Sequence, residues 1–132
     1  MALCLGDALA VILCDDKPGL LCANHWDLPG CGLVVDETPL SCALRETQEE
    51  LSLVLRREQV SWGRPYINSI GRTVWFFAAH LPFETRAQVR LGDEGQRWAT
   101  MGVEAFLSHD QVVPQFKQRL RDYLSGRDTE TF

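Results

Sequence analysis

No apolar run in these 132 residues approaches the ~20 that a membrane-spanning helix requires, and MALCLGD carries no basic region ahead of its apolar stretch. A membrane span and a secretory leader are therefore not expected, and the setting is read as cytoplasmic. Basic charge is also short. Thirteen Lys and Arg face eighteen Asp and Glu, a formal net charge of −5, which argues against binding the backbone of a long nucleic acid. The five cysteines (Cys4, Cys14, Cys22, Cys31, Cys42) are odd in number, scattered, and contain no C-x-x-C pair. They read as reduced, mostly buried thiols rather than as disulfides or zinc ligands. Internal repeats, low-complexity tracts and a linker are all missing, so residues 1–126 are expected to form a single domain, followed by a flexible tail over 127–132.

What is present is ordinary in bulk and unusual in one place. Hydrophobic residues make up 45% and charged residues 23%, as in a globular protein with one core. The unusual stretch is Gly30 to Leu53, GCGLVVDETPLSCALRETQEELSL. Thr38 followed by Pro39 is a helix start, because the hydroxyl can accept from a first-turn N–H and proline has none to lose. The helix is expected over about Pro39 to Leu51. At ~100° per residue, Glu46, Glu49 and Glu50 share one sector with Arg45 at its edge, and Leu40, Ala43, Leu44, Thr47 and Leu51 form a neighbouring inward stripe. Like charges at these spacings repel by a few tenths of a kcal/mol per pair. Two accounts offset that cost. One is a solvated face with an Arg45–Glu49 salt bridge; the other is a hard divalent cation held by carboxylate oxygens.

With the spacing added, the stretch resembles the signature of the Nudix hydrolase family: a Gly, five residues, Glu, seven residues, then Arg-Glu-apolar-x-Glu-Glu-x-Gly-apolar. Glu37, Arg45, Glu46, Glu49, Glu50 and Leu53 occupy their places in it. Cys31 stands where the signature has its first Gly, Ser52 where it has its last, and Thr47 where it has an aliphatic residue. If positions 31 and 52 need positive φ, a side chain there costs of order 1 kcal/mol. Thr47 is tolerable if its hydroxyl bonds back to a carbonyl one turn earlier.

The resemblance implies an α/β fold, the Nudix-type α/β/α sandwich with a mixed β-sheet flanked by helices, acting on a nucleoside diphosphate linked to a group X. It implies Mg²⁺, or Mn²⁺, held by Glu46, Glu49 and Glu50, with the Gly30 or Cys31 backbone carbonyl as a further ligand. Arg45 would orient a carboxylate, and Glu37 with Cys31 would support the loop. MutT-like members carry an acidic Glu-Gly-Gln segment outside the signature, and Glu94 in Gly92-Asp93-Glu94-Gly95-Gln96 matches it. Glu94 is thereby a candidate metal ligand or general base, together with Glu49 and Glu50. The favoured reaction is cleavage of a (d)NTP to the monophosphate and pyrophosphate, oxidised nucleotides included. The alternatives are an ADP-ribose or nucleotide-sugar pyrophosphatase, and a non-catalytic nucleotide-binding module. The partner is a nucleotide, with no long nucleic acid and no membrane, and the protein is a monomer or homodimer.

Along the chain, Leu9–Cys14 is an apolar run suited to a strand covered on both faces. Asp15–Gly19 is a turn, with a second short strand expected over Leu20–Asn24. Strands are also expected at Leu33–Val35, from Leu53, at Val60–Trp62 and Tyr66–Ile70 around a Gly63-Arg64-Pro65 turn, at Thr73–Leu81 and at Ala99–Met101. Pro82–Arg90 reads as loop; Val103–Ser108 and Val113–Leu124 read as helices, the latter stopped at Gly126. Trp26 reads as packing, and His25 and His80 as ordinary polar residues. The substrate pocket is expected between Trp26–Leu28, the Thr73–Leu81 strand and the start of the last helix.

Overall fold

The computed structural model describes residues 1–20, 22–30, 36–130 and 132. Six strands, β1 (Ala2–Leu5), β2 (Ala8–Leu13), β3 (Trp26–Asp27), β4 (Val60–Ile67), β5 (Thr73–Leu81) and β6 (Arg97–Gly102), form one sheet with α1 (Pro39–Leu51), α2 (Val103–Ser108) and α3 (Gln115–Leu124). The order is β3-β2-β1-β5-β4, with β6 also on β2. β1 runs parallel to β5 and the other strand pairings among the described residues are antiparallel, so the sheet is mixed.

β6 pairs with β2 along its whole length, while β1 takes the start of β2 at Ala8 and Leu9 and β3 takes its end at Ile12 and Leu13. β1 and β3 thus divide one edge of β2, and among the described residues the sheet opens between them. The opening is bridged where the Met1 nitrogen donates to the Pro29 carbonyl at 2.6 Å.

The apolar runs read as two-faced strands because both faces are covered. Leu3, Leu5, Ala10, Ile12, Phe77 and Ala79 pack with Leu40, Ala43 and Leu51 of α1. Their alternate neighbours Ala2, Cys4, Leu9, Val11, Phe76 and Ala78 pack with Phe106 of α2 and Leu120 of α3. This is a sheet sandwiched by helices, as expected.

Several expectations are corrected. The chain makes β1 where no strand was foreseen. Cys22–Asn24 is turn rather than strand, Leu20 is exposed and in no strand, and the strand returning along β2 is β3. Gly63-Arg64-Pro65 is no turn: β4 runs through it as an edge strand, where the missing N–H of Pro65 costs no sheet bond. The reversal falls at Asn68–Arg72, where the Asn68 side chain accepts from the Ile70 and Arg72 amides. Leu53 and Leu55 are buried without forming a strand, and Phe83–Gln88 is a 3₁₀ helix. Leu33–Val35 lies outside the described residues.

Residues 127–130 and Phe132, expected to hang loose, line the open edge of β4. The Glu130 amide donates to the Gly63 carbonyl at 2.8 Å, the Gly63 amide to the Thr129 hydroxyl at 2.9 Å, and the Arg64 guanidinium to the Asp128 carbonyl at 2.6 Å. The Phe132 ring sits edge-on to Phe77 and Trp75. An unpaired strand edge accepts whatever polar chain is near, and here that chain is the protein's own. Among the described residues no helix is long and apolar enough to cross a membrane.

Candidate functional site

The site is built on α1. Its N-cap is Thr38, whose hydroxyl accepts from the Ser41 amide at 3.1 Å, and Pro39 opens the first turn. Its C-cap is Ser52 in the left-handed region, φ 60 and ψ 27, with the amide bonded to the Gln48 carbonyl. A side chain there is strained, and the Ser52 hydroxyl offsets part of the strain by donating to the Arg90 carbonyl at 2.9 Å. Thr47 is fully buried and its hydroxyl donates to the Ala43 carbonyl at 2.8 Å, so the polar group is satisfied within the helix.

Arg45 gathers three carboxylates. Its Nε donates to both Glu37 oxygens at 3.0 Å, one terminal nitrogen reaches Glu49 at 2.8 Å, and the other lies 2.9 Å from Glu37 and 3.4 Å from Glu46. The hydrogen bonds it donates to Glu37 and then to Glu49 raise its already high pKa further. The salt-bridged face expected from the helix alone is therefore real, and it fixes the side chains around one point.

Glu94 comes from outside the helix. Gly92 presses against the end of α1, its amide donating to the Glu50 carbonyl at 2.9 Å, and a Cβ at that position would lie 2.1 Å from the Glu49 carbonyl oxygen. Gly95 has φ +91 and sits against Ile12. The two glycines let the loop approach closely enough for Glu94 and Asp93 to share a cavity of about 440 Å³ with Glu46, Glu49 and Glu50. Among the described residues, no three of these groups are already drawn together closely enough to hold an ion.

Glu50 is the most perturbed carboxylate, pushed up to about 8 mainly by burial and further by Asp27 and Glu46, against a stabilising bond from the Gly30 N–H. Gly30 itself has φ +146, and a Cβ there would lie 2.8 Å from the Met1 nitrogen, so no other residue fits. Glu50 and Glu94 also border a second cavity of about 330 Å³, together with Asp27. Asp27 in turn borders a third, of about 400 Å³, walled by Trp75, Phe76 and Phe116 and reached by Arg119. A pocket does lie between Trp26–Leu28, the Thr73–Leu81 strand and the last helix, and three cavities run in series from the acidic helix to it.

Asp27 was missed in the sequence. It is half-buried, its pKa raised by burial against the Leu28 amide, which donates to it at 2.7 Å. In W-D-L-P-G it looks like one more turn residue, and only the short strand β3 carries it to Glu50. Cys31 lies outside the described residues. Cys4, Cys14 and Cys22 are free, and burial pushes the Cys4 and Cys14 thiols up to about 11 and about 12, so both are inert as expected. Cys42 is disulfide-bonded, which corrects the expectation of five reduced thiols. Trp26 is buried in the core, and the His80 ring is bonded to the Tyr123 hydroxyl.

The family model for the NUDIX domain matches residues 5–124, nearly the whole chain. The chain belongs to the Nudix family. Among solved structures it is similar to the MutT protein from Methanosarcina mazei Go1, at TM-score 0.71 and 16% identity over 96% of this chain and 91% of that one. It is also similar to a C. elegans Ap4A hydrolase binary complex, at TM-score 0.64 and 19% identity over 89% and 85%. A third is the Francisella tularensis bifunctional NMN adenylyltransferase/ADP ribose pyrophosphatase complexed with AMP and a Mn ion, at TM-score 0.71 and 17% identity. That match covers 94% of this chain but only 39% of that protein. At these identities the likeness is one of fold. No curated protein matches the sequence.

Proposed function

We propose that this Nudix protein hydrolyses a nucleoside diphosphate linked to X with a divalent cation, and that its substrate is a (d)NTP, cleaved to the monophosphate and pyrophosphate. The observation that carries the reading is the meeting of two chain segments at one cavity, with Glu46, Glu49 and Glu50 from α1 and Glu94 from the Gly92–Gly95 loop. An all-oxygen donor set suits Mg²⁺ or Mn²⁺ better than a softer metal.

Glu46, Glu49, Glu50 and Glu94, with the Gly30 backbone carbonyl, would hold the ions. The chemistry such ions would supply when bound is neutralisation of the diphosphate oxygens and a lowered pKa for the attacking water. The chain's own residues do the rest. Arg45 orients Glu49 and Glu46 through charge-assisted contacts and is itself held by Glu37. A carboxylate among Glu49, Glu50 and Glu94 takes the proton from the attacking water. The aromatic cavity beyond Asp27 takes the base.

The test is a panel of (d)NTPs, oxidised dNTPs, ADP-ribose and dinucleoside polyphosphates with Mg²⁺ or Mn²⁺, with products resolved by chromatography. Monophosphate and pyrophosphate from a triphosphate are expected; no turnover of any compound would leave a nucleotide-binding module. Glu49→Gln should cut turnover by ~100-fold or more with the thermal midpoint near wild type, since a charged ligand contributes several kcal/mol at the transition state. Wild-type-like turnover in that variant would remove Glu49 from the site.

A further inference from the structure

We infer that Arg119 selects the base in the cavity beyond Asp27, and that the base it selects is guanine; this rests on the nucleotide reading above. The cavity holds about 400 Å³, with Trp75, Phe76 and Phe116 presenting aromatic surface for a flat ring to stack on. Its polar side carries the donors of Arg119 and Asn68 beside the Gln115 amide and the Asp27 carboxyl. The Arg119 guanidinium carries N–H groups in a rigid fork and no acceptor.

Among the described residues no carboxylate lies within ion-pair distance of Arg119. The guanidinium rests over the rings of Tyr66, at 5.1 Å, and Phe116, at 5.7 Å. The acids nearby are committed elsewhere. Asp122 accepts from the Tyr66 hydroxyl at 2.8 Å, from Gln118 at 3.1 Å and from Arg127 at 3.4 Å. Asp27 lines the same cavity, and its oxygens accept from the Leu28 amide and the Cys14 thiol. Asn68, also on the lining, has its oxygen taken by the Ile70 and Arg72 amides, which leaves its N–H₂ as the available group. Half-buried without an anionic partner, the guanidinium is held below its ordinary pKa by desolvation, a cost that a bound acceptor would relieve.

A pocket of donors discriminates between bases by their acceptors. Guanine offers two adjacent ones, O6 and N7, in the geometry that a guanidinium fork meets bidentately. Adenine sets an amino group beside its N7, so one donor would face another. Among the pyrimidines cytosine also has two adjacent acceptors, N3 and O2, but on a ring half the size, with less surface for the aromatic wall. That wall would accept either purine; Arg119 would favour guanine over adenine.

The experiment measures calorimetric binding of GMP and AMP with Mg²⁺ to wild type, Arg119→Ala and Arg119→Lys, beside steady-state kinetics on GTP and ATP. Wild type should bind GMP at least ~10-fold more tightly than AMP. Arg119→Ala should lose that preference by weakening GMP alone, with KM for GTP raised and kcat largely kept, and Arg119→Lys should recover part of it. Equal binding of GMP and AMP by wild type, which needs no variant, would overturn the inference. So would an equal loss for both nucleotides in Arg119→Ala, which would place Arg119 on the phosphate or in the fold. A GMP preference without turnover of GTP would sink the hydrolase reading and leave Arg119 standing. Turnover without base preference would do the reverse.

Discussion

Glu50 is where folding and chemistry oppose each other. Its carboxyl is raised from 4.5 to about 8, with burial as the largest cause. A carboxylate whose folded pKa is raised makes the folded state hold a proton the unfolded chain has released, so stability falls as pH climbs from about 4.5 toward 8 and then levels. The metal-free protein should therefore be more stable at pH 5 than at pH 8 as far as this group is concerned. Replacing the charge should show it: Glu50→Gln is expected to raise metal-free stability at pH 8 by roughly 2 kcal/mol, and far less at pH 5, while removing activity. Denaturant melts in EDTA at the two pH values check this, and an unchanged or lowered stability at pH 8 would mean Glu50 is not desolvated in solution. The carboxylates of α1 could be read from the sequence because helical spacing alone puts them together. Asp27 and Arg119 could not, since each reaches its cavity only through sheet and helix packing between segments far apart in the chain.

At the level of elements, α1 was fully legible, Pro39 to Leu51, because its start is written in Thr38-Pro39 and its stripe in the leucines and alanine. Its end carries the departure that matters, Ser52 at φ 60 where glycine would be unstrained. Two substitutions separate strain from bonding. Ser52→Ala keeps the left-handed strain and loses the bond to the Arg90 carbonyl, so it should cost about 1 kcal/mol. Ser52→Gly loses the same bond but relieves the strain, so it should fall within ~0.5 kcal/mol of wild type. Urea unfolding resolves the two, and an alanine variant as stable as wild type would mean the bond contributes nothing. β5 and α2 were legible for the same reason as α1, each a self-contained pattern. β1 and the reach of β4 were not. A four-residue strand next to a turn has no period to detect, and Gly-Arg-Pro is a turn signal that only an edge position turns into strand.

Across the whole molecule, two of the places that the described strands leave unclosed bear on the site. One is the split between β1 and β3, where Asp27 and Gly30 meet the acidic helix and the cavities begin. The other is the outer edge of β4, where residues 128–130 make amide, hydroxyl and guanidinium bonds to Gly63 and Arg64. Composition made that segment look loose because its polar residues are satisfied by a strand edge that sequence does not reveal. Phe132 packs on Trp75 and Phe77, and Trp75 is also a wall of the aromatic cavity, so the closed edge supports the base pocket from behind. Deleting 127–132 should uncover that edge and the Phe77 ring, lowering stability by about 2–3 kcal/mol at the apolar burial and hydrogen bonds lost. It should also make the protein self-associate at raised concentration, as an unprotected edge strand does. Turnover per folded molecule should persist with a raised KM, because the carboxylates of α1 and Glu94 lie on the other opening. Thermal melts, sizing chromatography and kinetics on the truncated chain test this together. A truncated chain with an unchanged midpoint and an unchanged KM would show that the edge needs no cover and that the pocket does not lean on it.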